Sequence, residues 1–361
     1  MSEPQVIGVT GLNATDNPAP GVGVLRSLRL DASPDDRLVG LAYDALDPGI
    51  YAEQLAEDVF LLPYPSSSGD AYLSRLQYVH ERVGLDVIVP TLDAEMPAYI
   101  GLSPRLRAMG IATFLPTREQ LDLRSKPNLP ELGARARIDV PTTAVVTSLH
   151  DLAHVHERVA YPLLVKGVFY GATLVHTHEE ATAAFHKVAS QWGLPVIVQA
   201  CVTGEELNVV GVGDGEGGLF GAVPMKKLML TDKGKGWAGI TIRDPDLLAV
   251  AERFARATRW RGPFEVEVIR DGQGRYWLIE INPRFPAWVH LATAAGVNMP
   301  RAVARLALGH RPGPQRDYDV GTMFVRISID QVASLSDLER ILTAGEICRR
   351  EHERPTWAGA A

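Results

Sequence analysis

The chain has 361 residues, of which 46% are hydrophobic and 22% charged, and its formal net charge is −7. This length exceeds one ordinary hydrophobic core and predicts two or three structural units. The acidic balance argues against nucleic acid as a partner, because that affinity depends mainly on clustered Lys and Arg. No run approaches the roughly 20 apolar residues of a membrane span, and the N-terminus lacks an export pattern, so we expect no membrane partner and a cytoplasmic location. The two cysteines, Cys201 and Cys348, cannot form a disulfide framework or a cysteine metal site.

Alternating strand and helix patterns predict a parallel sheet in the first third of the chain. An apolar strand at residues 5–12 leads through a polar loop into the helical pattern VLRSLRL, and RLVGLAYD begins a second such unit with a predicted helix at residues 51–57. A helix at residues 71–83 precedes the apolar run 86–90, which is typical of a strand covered on both faces. The acidic loop TLDAE follows directly. Since ligands bind at the carboxyl ends of parallel strands, this edge is a candidate binding surface.

The loop after the first strand carries polar side chains that suit a substrate site. Asn13, Asp16 and Asn17 offer amide and carboxylate groups where open α/β sheets bind ligands. The same side chains could equally cap a turn into the following helix. The GVG at residues 21–23 lacks the third glycine of a dinucleotide fingerprint, so NAD binding is not predicted.

The pattern changes at about residue 117 to mixed helices and strands. YPLLVKGV, VIVQACV and ELNVVGV are predicted strands, with a helix at residues 178–192 between the first two. A lysine- and glycine-rich segment, MKKLMLTDKGKGWAG, is predicted to be flexible. A helix at residues 245–259 leads to two strands, FEVEVIR and YWLIEIN, joined by the turn DGQG. Helices at residues 299–308 and 334–344 and the strand-like MFVRISI follow.

The predicted hairpin brings two carboxylates and an amide together. The turn folds YWLIEIN back onto FEVEVIR and places Glu280 near Glu267, and Asn282 shares the face of Glu280 because strand residues alternate. Ile279 and Ile281 are expected to point the other way, into the core. Carboxylate and amide oxygens suit magnesium that also takes phosphate oxygens from a nucleotide, although a solvated face of an edge hairpin is the ordinary alternative.

The residue that follows the hairpin favours the metal interpretation. The sequence Asn-Pro-Arg ends the strand and projects the guanidinium of Arg284 toward whatever the carboxylates hold. Arg284 is therefore a candidate clamp for a phosphate or a carboxylate.

These residues resemble a known family. Glu267 followed by Glu280-Ile-Asn282-Pro-Arg284 is similar to the metal-binding hairpin of ATP-grasp enzymes, especially the branch related to biotin carboxylase and the carbamoyl-phosphate synthase large chain. The resemblance implies a Rossmann-like N-terminal, pre-ATP-grasp domain (α/β) followed by a two-subdomain ATP-grasp fold (α+β). The expected boundaries are residues 1–115, then 116–200 for the small subdomain, and 201–361 for the large subdomain with a C-terminal extension. The implied cofactors are ATP and Mg²⁺, with Mn²⁺ as a substitute.

The resemblance also assigns roles to basic residues upstream. Lys126, in RSKPNL, is similar to the residue that meets the α-phosphate, and a surface lysine is its alternative. Lys166 ends an apolar strand, like the family lysine that reaches the nucleotide phosphates, and burial there is costly without an anionic partner. The loop GVFYGA departs from the usual glycine-rich phosphate cover, since only Gly167 and Gly171 remain and bulky aromatic residues lie between them. Gly171 stays a candidate for backbone contact with phosphate.

The end of VIVQACV resembles the hinge that holds adenine. Gln199, Ala200 and Val202 match it, although Gln199 stands where a glutamate is more usual. Glu206 matches the ribose contact, and Glu205 competes with it. Both carboxylates could instead be exposed turn residues.

The lysine-rich segment suits closure over anionic oxygens once substrate has bound. Lys227 and Lys235 are the candidates for this catalytic role, and a solvated charged loop is the equal alternative.

The resemblance implies a carbon–nitrogen ligase that joins a small carboxylic acid, such as an amino acid or a peptide, to an amine through an acyl phosphate, releasing ADP and phosphate. The alternatives are an ATP-dependent carboxylating or carbamoyl-forming enzyme and a non-catalytic nucleotide- or peptide-binding module. The partners expected are therefore small-molecule or peptide substrates, and a homodimer is allowed. No GxSxG elbow or recognisable Cys/His pair supports covalent catalysis.

Overall fold

The computed structural model describes residues 5–15, 18–33, 36–67, 69–168, 171–231, 234 and 236–349. The strands in chain order are β1 (Val6–Thr10), β2 (Arg37–Ala42), β3 (Asp58–Leu61), β4 (Val87–Val89), β5 (Thr143–Val146), β6 (Leu163–Lys166), β7 (Ala172–Val175), β8 (Val196–Ala200), β9 (Glu205–Asp214), β10 (Leu219–Leu230), β11 (Gly236–Thr241), β12 (Arg261–Arg270), β13 (Tyr276–Asn282), β14 (Met323–Val325) and β15 (Glu346–Cys348). The helices are α1 (Gly21–Leu30), α2 (Gly69–Val83), α3 (Met96–Ala108), α4 (Arg118–Leu123), α5 (Leu129–Ala136), α6 (Leu149–Ala153), α7 (His178–Trp192), α8 (Pro245–Thr258), α9 (Val289–Ala294), α10 (Met299–Ala307) and α11 (Leu335–Thr343). No helix within these ranges is long and apolar enough to cross a membrane.

The first sheet has the strand order β15-β3-β2-β1-β4, and β1 to β4 are parallel as predicted. Both faces are covered, since Ile7 and Val9 pack in one apolar core with α1 and Leu41 packs in another with α2 and α3. Continuous apolar strands are what such burial requires. The strand β15, which is distant from the others in sequence, runs antiparallel to β3. Next to this pairing, the Leu61 amide donates to the Gly345 carbonyl at 2.8 Å.

The predicted helix at residues 51–57 is wrong. The structure has a single 3-10 turn at Pro48–Ile50 followed by irregular turns. The amide of Glu57 donates to the Leu38 carbonyl at 3.0 Å and its carboxylate accepts from the Leu38 amide at 2.8 Å. These bonds tie Glu57, the residue before β3, to β2 and thus make the end of the segment part of the sheet.

Helix α1 begins in close contact with the end of β1. The Gly21 amide donates to the Gly11 carbonyl at 3.1 Å, and a Cβ at Gly21 would lie 2.1 Å from the Thr10 carbonyl oxygen. Only glycine fits this approach, so the first glycine of the GVG segment serves strand–helix packing.

The second sheet is antiparallel, with the strand order β5-β8-β6-β7. One face packs with α6 and α7 in a separate apolar core that includes Leu152, Val165 and Phe185. The predicted helix at residues 178–192 coincides with α7, which Thr177 caps by accepting from the Glu180 amide. The separate core makes this sheet a structural unit of its own.

The third sheet is antiparallel, with the order β13-β12-β9-β10-β11-β14. On one face, Leu207 and Val266 pack with α5 and α8, so residues 129–138 belong to this core. On the opposite face, Val210 and Phe285 pack with α1, α9 and α10 against the first sheet. The predicted division into residues 1–115, 116–200 and 201–361 stays a prediction. Two contacts run across these boundaries: α5 packs in the core of the third sheet, and β15 pairs with β3 of the first sheet.

Candidate functional site

A row of polar side chains crosses the third sheet on the face that packs toward the first sheet. Asn208 on β9 pairs with Glu267 on β12, and Glu267 pairs with Glu280 on β13. The next paired row contains Glu265 and Asn282. Directly paired residues on neighbouring strands share a face, so the three predicted metal ligands lie side by side with two further polar residues.

A β-bulge interrupts the alternation of the hairpin. Val268 pairs with Leu278 and Glu267 with Glu280, which leaves Ile279 as the extra residue. Leu278 and Ile281 are fully buried in the core, whereas Ile279 is only half-buried. The prediction that Ile279 points into the core is therefore wrong. Glu280 and Asn282 both follow the bulge, so they keep the common face that the alternation predicted.

Two lysines neutralise the carboxylates of this row. Lys227 Nζ lies 2.9 Å from Glu206 Oε2 and 3.2 Å from Glu267 Oε2, and its side chain is 10% exposed. Burial lowers the pKa of Lys227, but Glu267 and Glu206 outweigh it and hold the pKa above its ordinary value. Lys126 Nζ lies 3.4 Å from Glu280 Oε1. The ion pairs keep both ammonium groups beside the predicted metal ligands.

The lysine-rich segment is more regular than predicted. Residues 225–230 belong to β10, which pairs with β9 up to Lys226 and with β11 up to Leu230, so Lys227 lies on a strand where a flexible loop was expected. Successive strand residues point to opposite faces, and Lys226 accordingly pairs with Glu205 at 2.5 Å on the other side of the sheet. Glu206, and not Glu205, shares the face of the carboxylate row.

Lys166 lies at the end of β6 on the second sheet with a neutral partner. Its Nζ donates to Gln199 Oε1 at 2.7 Å, Gln199 Nε2 donates to Thr143 Oγ1 at 3.1 Å, and Lys166 is 7% exposed. Burial, with a smaller contribution from the charge of Lys126, lowers the pKa of Lys166 to about 8. Gln199 is a neutral partner, and the charges of Glu280 and Glu267 only partly offset the desolvation of the ammonium.

Arg284 extends the site to the first sheet. Its Nε donates to Asp93 Oδ2 at 2.9 Å, its Nη1 lies 3.3 Å from Glu265 Oε2, and its side chain is 12% exposed. Burial lowers the pKa of Arg284, and Asp93 and Glu265 more than offset it and raise the pKa. Asp93 belongs to the acidic loop TLDAE after β4, and it also meets Arg124 at 3.4 Å. The predicted binding edge of the first sheet therefore contacts the hairpin directly.

A buried carboxylate holds the acidic loop in place. Glu95 Oε1 accepts from Thr10 Oγ1 at 2.5 Å and from the amides of Thr91 and Leu92 at 2.6 and 2.8 Å, and Glu95 Oε2 accepts from the Tyr43 hydroxyl. Burial raises the pKa of Glu95, and these hydrogen bonds oppose it. The loop that presents Asp93 is thus fixed to the end of β1.

Glu265 is a site residue that the sequence analysis missed. It is 5% exposed and accepts hydrogen bonds from Asn208, Asn282 and Trp288 in addition to its contact with Arg284. Burial raises its pKa, and the charge of Glu267 adds to this. The sequence did contain a signal, since Glu265 lies two positions before Glu267 in FEVEVIR and must share its face.

The remaining predicted residues occupy less specific surroundings. Gly171 has a left-handed backbone with φ of +85°, and its carbonyl accepts from the Gly167 amide at 3.3 Å. Ala200 and Val202 lie where β8 gives way to the link to β9. Asn13 Oδ1 accepts from the amide and the hydroxyl of Thr15, at 3.1 and 2.9 Å, as a turn-capping residue does. Asp16, Asn17 and Lys235 lie outside the described residues.

Comparisons with known proteins agree with this architecture. Residues 193–328 match a family described as "ATP-grasp in the biosynthetic pathway with Ter operon". The D-alanine–D-alanine ligase of Pseudomonas entomophila is 25% identical over 173 residues, which are 44% of this chain and 53% of that protein. The chain thus spans about half the length of this curated relative.

Two solved structures share the fold at low sequence identity. One is the biotin carboxylase domain of 2-oxoglutarate carboxylase from Hydrogenobacter thermophilus, described as a dimer with MgADP, ADP and bicarbonate; it has a TM-score of 0.67 and 16% identity, and the match covers 88% of this chain and 72% of that one. The other is an L-amino acid ligase from Bacillus licheniformis, with a TM-score of 0.62, 15% identity, and coverage of 85% and 75%. These findings confirm the predicted fold class and the resemblance on which it was based.

Proposed function

We propose that this chain, which carries an ATP-grasp fold, is an ATP-dependent carbon–nitrogen ligase that joins a small carboxylic acid to an amine through an acyl phosphate. The observation that carries the proposal is the row of Glu267, Glu280 and Asn282 flanked by Lys227 and Arg284. Such a row can bind a metal–nucleotide and neutralise charge during phosphoryl transfer. The names of the relatives support the reaction class, since two of them join amino acids.

The donor set of the hairpin fits magnesium. Glu267, Glu280 and Asn282 supply hard oxygen ligands. Within the described residues, no three His, Cys, Asp or Glu side chains form a metal-binding group, so a cation here would also need oxygens from water and phosphate. Mg²⁺ usually takes one or two carboxylates together with water and substrate phosphates, and it supplies charge neutralisation on the phosphates when bound. We propose that Mn²⁺ can replace it, because it prefers similar ligands.

The nucleotide would lie between the second and third sheets. Lys126 and Lys166 are proposed phosphate contacts, with the Gly171 backbone nearby, and Gln199, Ala200, Val202 and Glu206 are proposed to hold the base and ribose. Val145 and Leu174 support this arrangement, because they leave apolar surface exposed on the face of the second sheet that bears Lys166 and Gln199. The polar row on the third sheet suits the phosphates of a nucleotide, and the apolar face of the second sheet suits its base.

Residues of the chain then account for the chemistry. Lys227 and Arg284 remain cationic because of their carboxylate neighbours and can neutralise a moving phosphoryl group. Lys235 is proposed to assist. The carboxylate substrate is proposed to meet Arg284 and the loop with Asn13, Asp16 and Asn17. Amino acids or peptides are the proposed substrates, and a cytoplasmic homodimer is the proposed state; the Hydrogenobacter domain named above is described as a dimer.

A carboxylating activity is the second candidate, because the fold is similar to a biotin carboxylase domain crystallised with bicarbonate. Bicarbonate would then replace the organic acid as the group that is phosphorylated. A screen that includes bicarbonate among the acids separates the two candidates.

We predict that turnover releases ADP and inorganic phosphate, since the lysines and the hairpin suit transfer of the γ-phosphoryl group to a carboxylate. Candidate amino acids, peptides and bicarbonate are paired with candidate amines, and phosphorus NMR identifies the products. Pyrophosphate that appears in step with the product would rule out an acyl phosphate. Binding of ATP with no turnover on any pair would favour the non-catalytic module.

We also predict that ATP binding weakens above pH 8. The pKa of Lys166 is lowered to about 8, so its ammonium is charged below that pH and loses its proton as the pH rises through it. The KM for ATP should therefore rise across pH 8 to 9. Gln199→Glu places an anion beside Lys166, raises its pKa and should move the rise to higher pH. Equal pH profiles for both proteins would remove Lys166 from the phosphate site.

A further inference from the structure

Glu265 separates its contacts between its two carboxylate oxygens. Oε1 accepts from Trp288 Nε1 and from Asn208 Nδ2, both at 2.7 Å. Oε2 accepts from Asn282 Nδ2 at 3.0 Å and from Arg284 Nη1 at 3.3 Å. One oxygen is therefore tied to the scaffold, and the other to two residues proposed to bind metal and substrate.

The scaffold side of this network is rigid. Asn208 and Trp288 are 1% and 7% exposed, and Trp288 belongs to the apolar core that joins the third sheet to α1. A tryptophan N–H can only donate, and its ring is held by packing. Oε1 is therefore fixed, and the position of Oε2 follows because the carboxylate is planar.

The orientation of the Asn282 amide follows in turn. Its Nδ2 group donates to Glu265 Oε2 at 3.0 Å and to Glu267 Oε1 at 2.9 Å. Both neighbours are carboxylates that accept hydrogen bonds and repel an amide oxygen, so the reverse orientation of the amide is excluded. Both protons of the NH₂ group are engaged, which leaves the Oδ1 atom as the part of the amide that can ligate a cation.

We infer that Glu265 is a positioning residue that holds the Asn282 amide with its oxygen toward the metal. The inference rests on the proposed function, because it assigns Asn282 to a metal–nucleotide site. Glu265 is not assigned to the metal itself, because its side chain is only 6% exposed whereas that of Glu267 is 24% exposed. Partners of metal ligands commonly set ligand orientation, and their loss weakens metal affinity about 10- to 100-fold.

Glu265→Gln tests the inference without turnover. If the glutamine oxygen stays on the side of Trp288, its NH₂ group faces the Asn282 NH₂ group, so Asn282 loses the acceptor on that side and its amide is no longer held in one orientation. We expect Mn²⁺ to bind the complex with a non-hydrolysable ATP analogue at least about 10-fold more weakly, as measured by Mn²⁺ EPR. Affinity for the analogue without metal should stay within twofold.

A double-mutant cycle separates positioning from simple loss of charge. If Glu265 acts through Asn282, Glu265→Gln should change Mn²⁺ affinity by less than twofold in the Asn282→Ala background. If only its negative charge matters, the same loss should appear in both backgrounds, and the inference is overturned. Glu265→Asp keeps the negative charge but shortens the side chain, so it should also weaken Mn²⁺ binding. It provides the test if the Glu265→Gln variant does not fold.

A matched control uses the opposite face of the same sheet. Glu205→Gln removes a carboxylate that pairs with Lys226 and Arg270 away from this network, so Mn²⁺ affinity should stay within about twofold. Wild-type protein that binds no Mn²⁺–nucleotide would overturn the proposed function and this inference with it. A wild type that binds, together with a Glu265→Gln variant that binds equally well, would overturn the inference alone.

Discussion

Glu280→Gln is expected to lower kcat at least about 100-fold while the protein stays folded, because it removes one of the two carboxylates proposed to hold the metal against the developing charge. Glu280 lies on a partly exposed strand and forms an ion pair with Lys126 at 3.4 Å. A pair of this kind contributes little to folding, so the free energy of unfolding should change by about 1 kcal/mol or less. Release of ADP and the melting temperature, measured on the same preparation, check both parts.

Glu205→Gln is the matched control for this experiment. Glu205 lies on the opposite face of the same sheet, where it pairs with Lys226 and Arg270. Its loss should leave kcat unchanged. Normal turnover by the Glu280→Gln protein would remove Glu280 from the metal site, and an equal loss in the control would indicate a general effect on the sheet.

Arg284→Lys is expected to lower kcat about 100-fold or more, with little change in the KM for ATP. The guanidinium spans Asp93 and Glu265 with separate nitrogens, at 2.9 and 3.3 Å, and a single ammonium cannot reproduce that planar contact. Loss of a contact that forms mainly as negative charge develops in the transition state lowers kcat. Steady-state kinetics with each substrate varied in turn is the measurement, and Arg270→Lys, which pairs with Glu205 on the opposite face, is the control.

Asn13→Ala should affect KM and not kcat if the loop after β1 of the first sheet binds the non-nucleotide substrate. It should raise the KM for the non-nucleotide substrate and leave the KM for ATP almost unchanged. Should Asn13→Ala alter neither constant, Asn13 would have a structural role only, as its hydrogen bonds from Thr15 suggest, and the loop would be a turn without a part in substrate binding.

The hairpin and the fold could be predicted from the sequence because their signals are local. Alternation along a strand and the short turn DGQG were sufficient to bring Glu267, Glu280 and Asn282 together. The bulge at Ile279 could not be predicted in this way, since an extra residue in one strand depends on the pairing with its neighbour. The predicted common face of Glu280 and Asn282 was still correct, because both residues follow the bulge.

Contacts between separate parts of the chain were harder to predict. Asp93 follows a strand of the first sheet and Arg284 follows the last strand of the hairpin, and nothing in either segment indicates that they meet. Trp288 is another example, since its N–H reaches Glu265 only because α9 packs the residue into the core. The charged network depends on tertiary packing and could not be predicted from the sequence, although its members could be recognised there as individual polar residues.

The antiparallel strand β15 has a consequence for the newly made chain. The other four strands of the first sheet end by Val89, whereas the strand that covers the edge of β3 in the described part of the chain is β15, at residues 346–348. N-terminal segments begin to fold while the ribosome is still adding residues. During that interval β3 offers unpaired backbone groups, which can pair with other nascent chains. Pairing of β15, with the hydrogen bond from the Leu61 amide to the Gly345 carbonyl, ends this exposure and makes the first unit dependent on a segment that is synthesised long after β4.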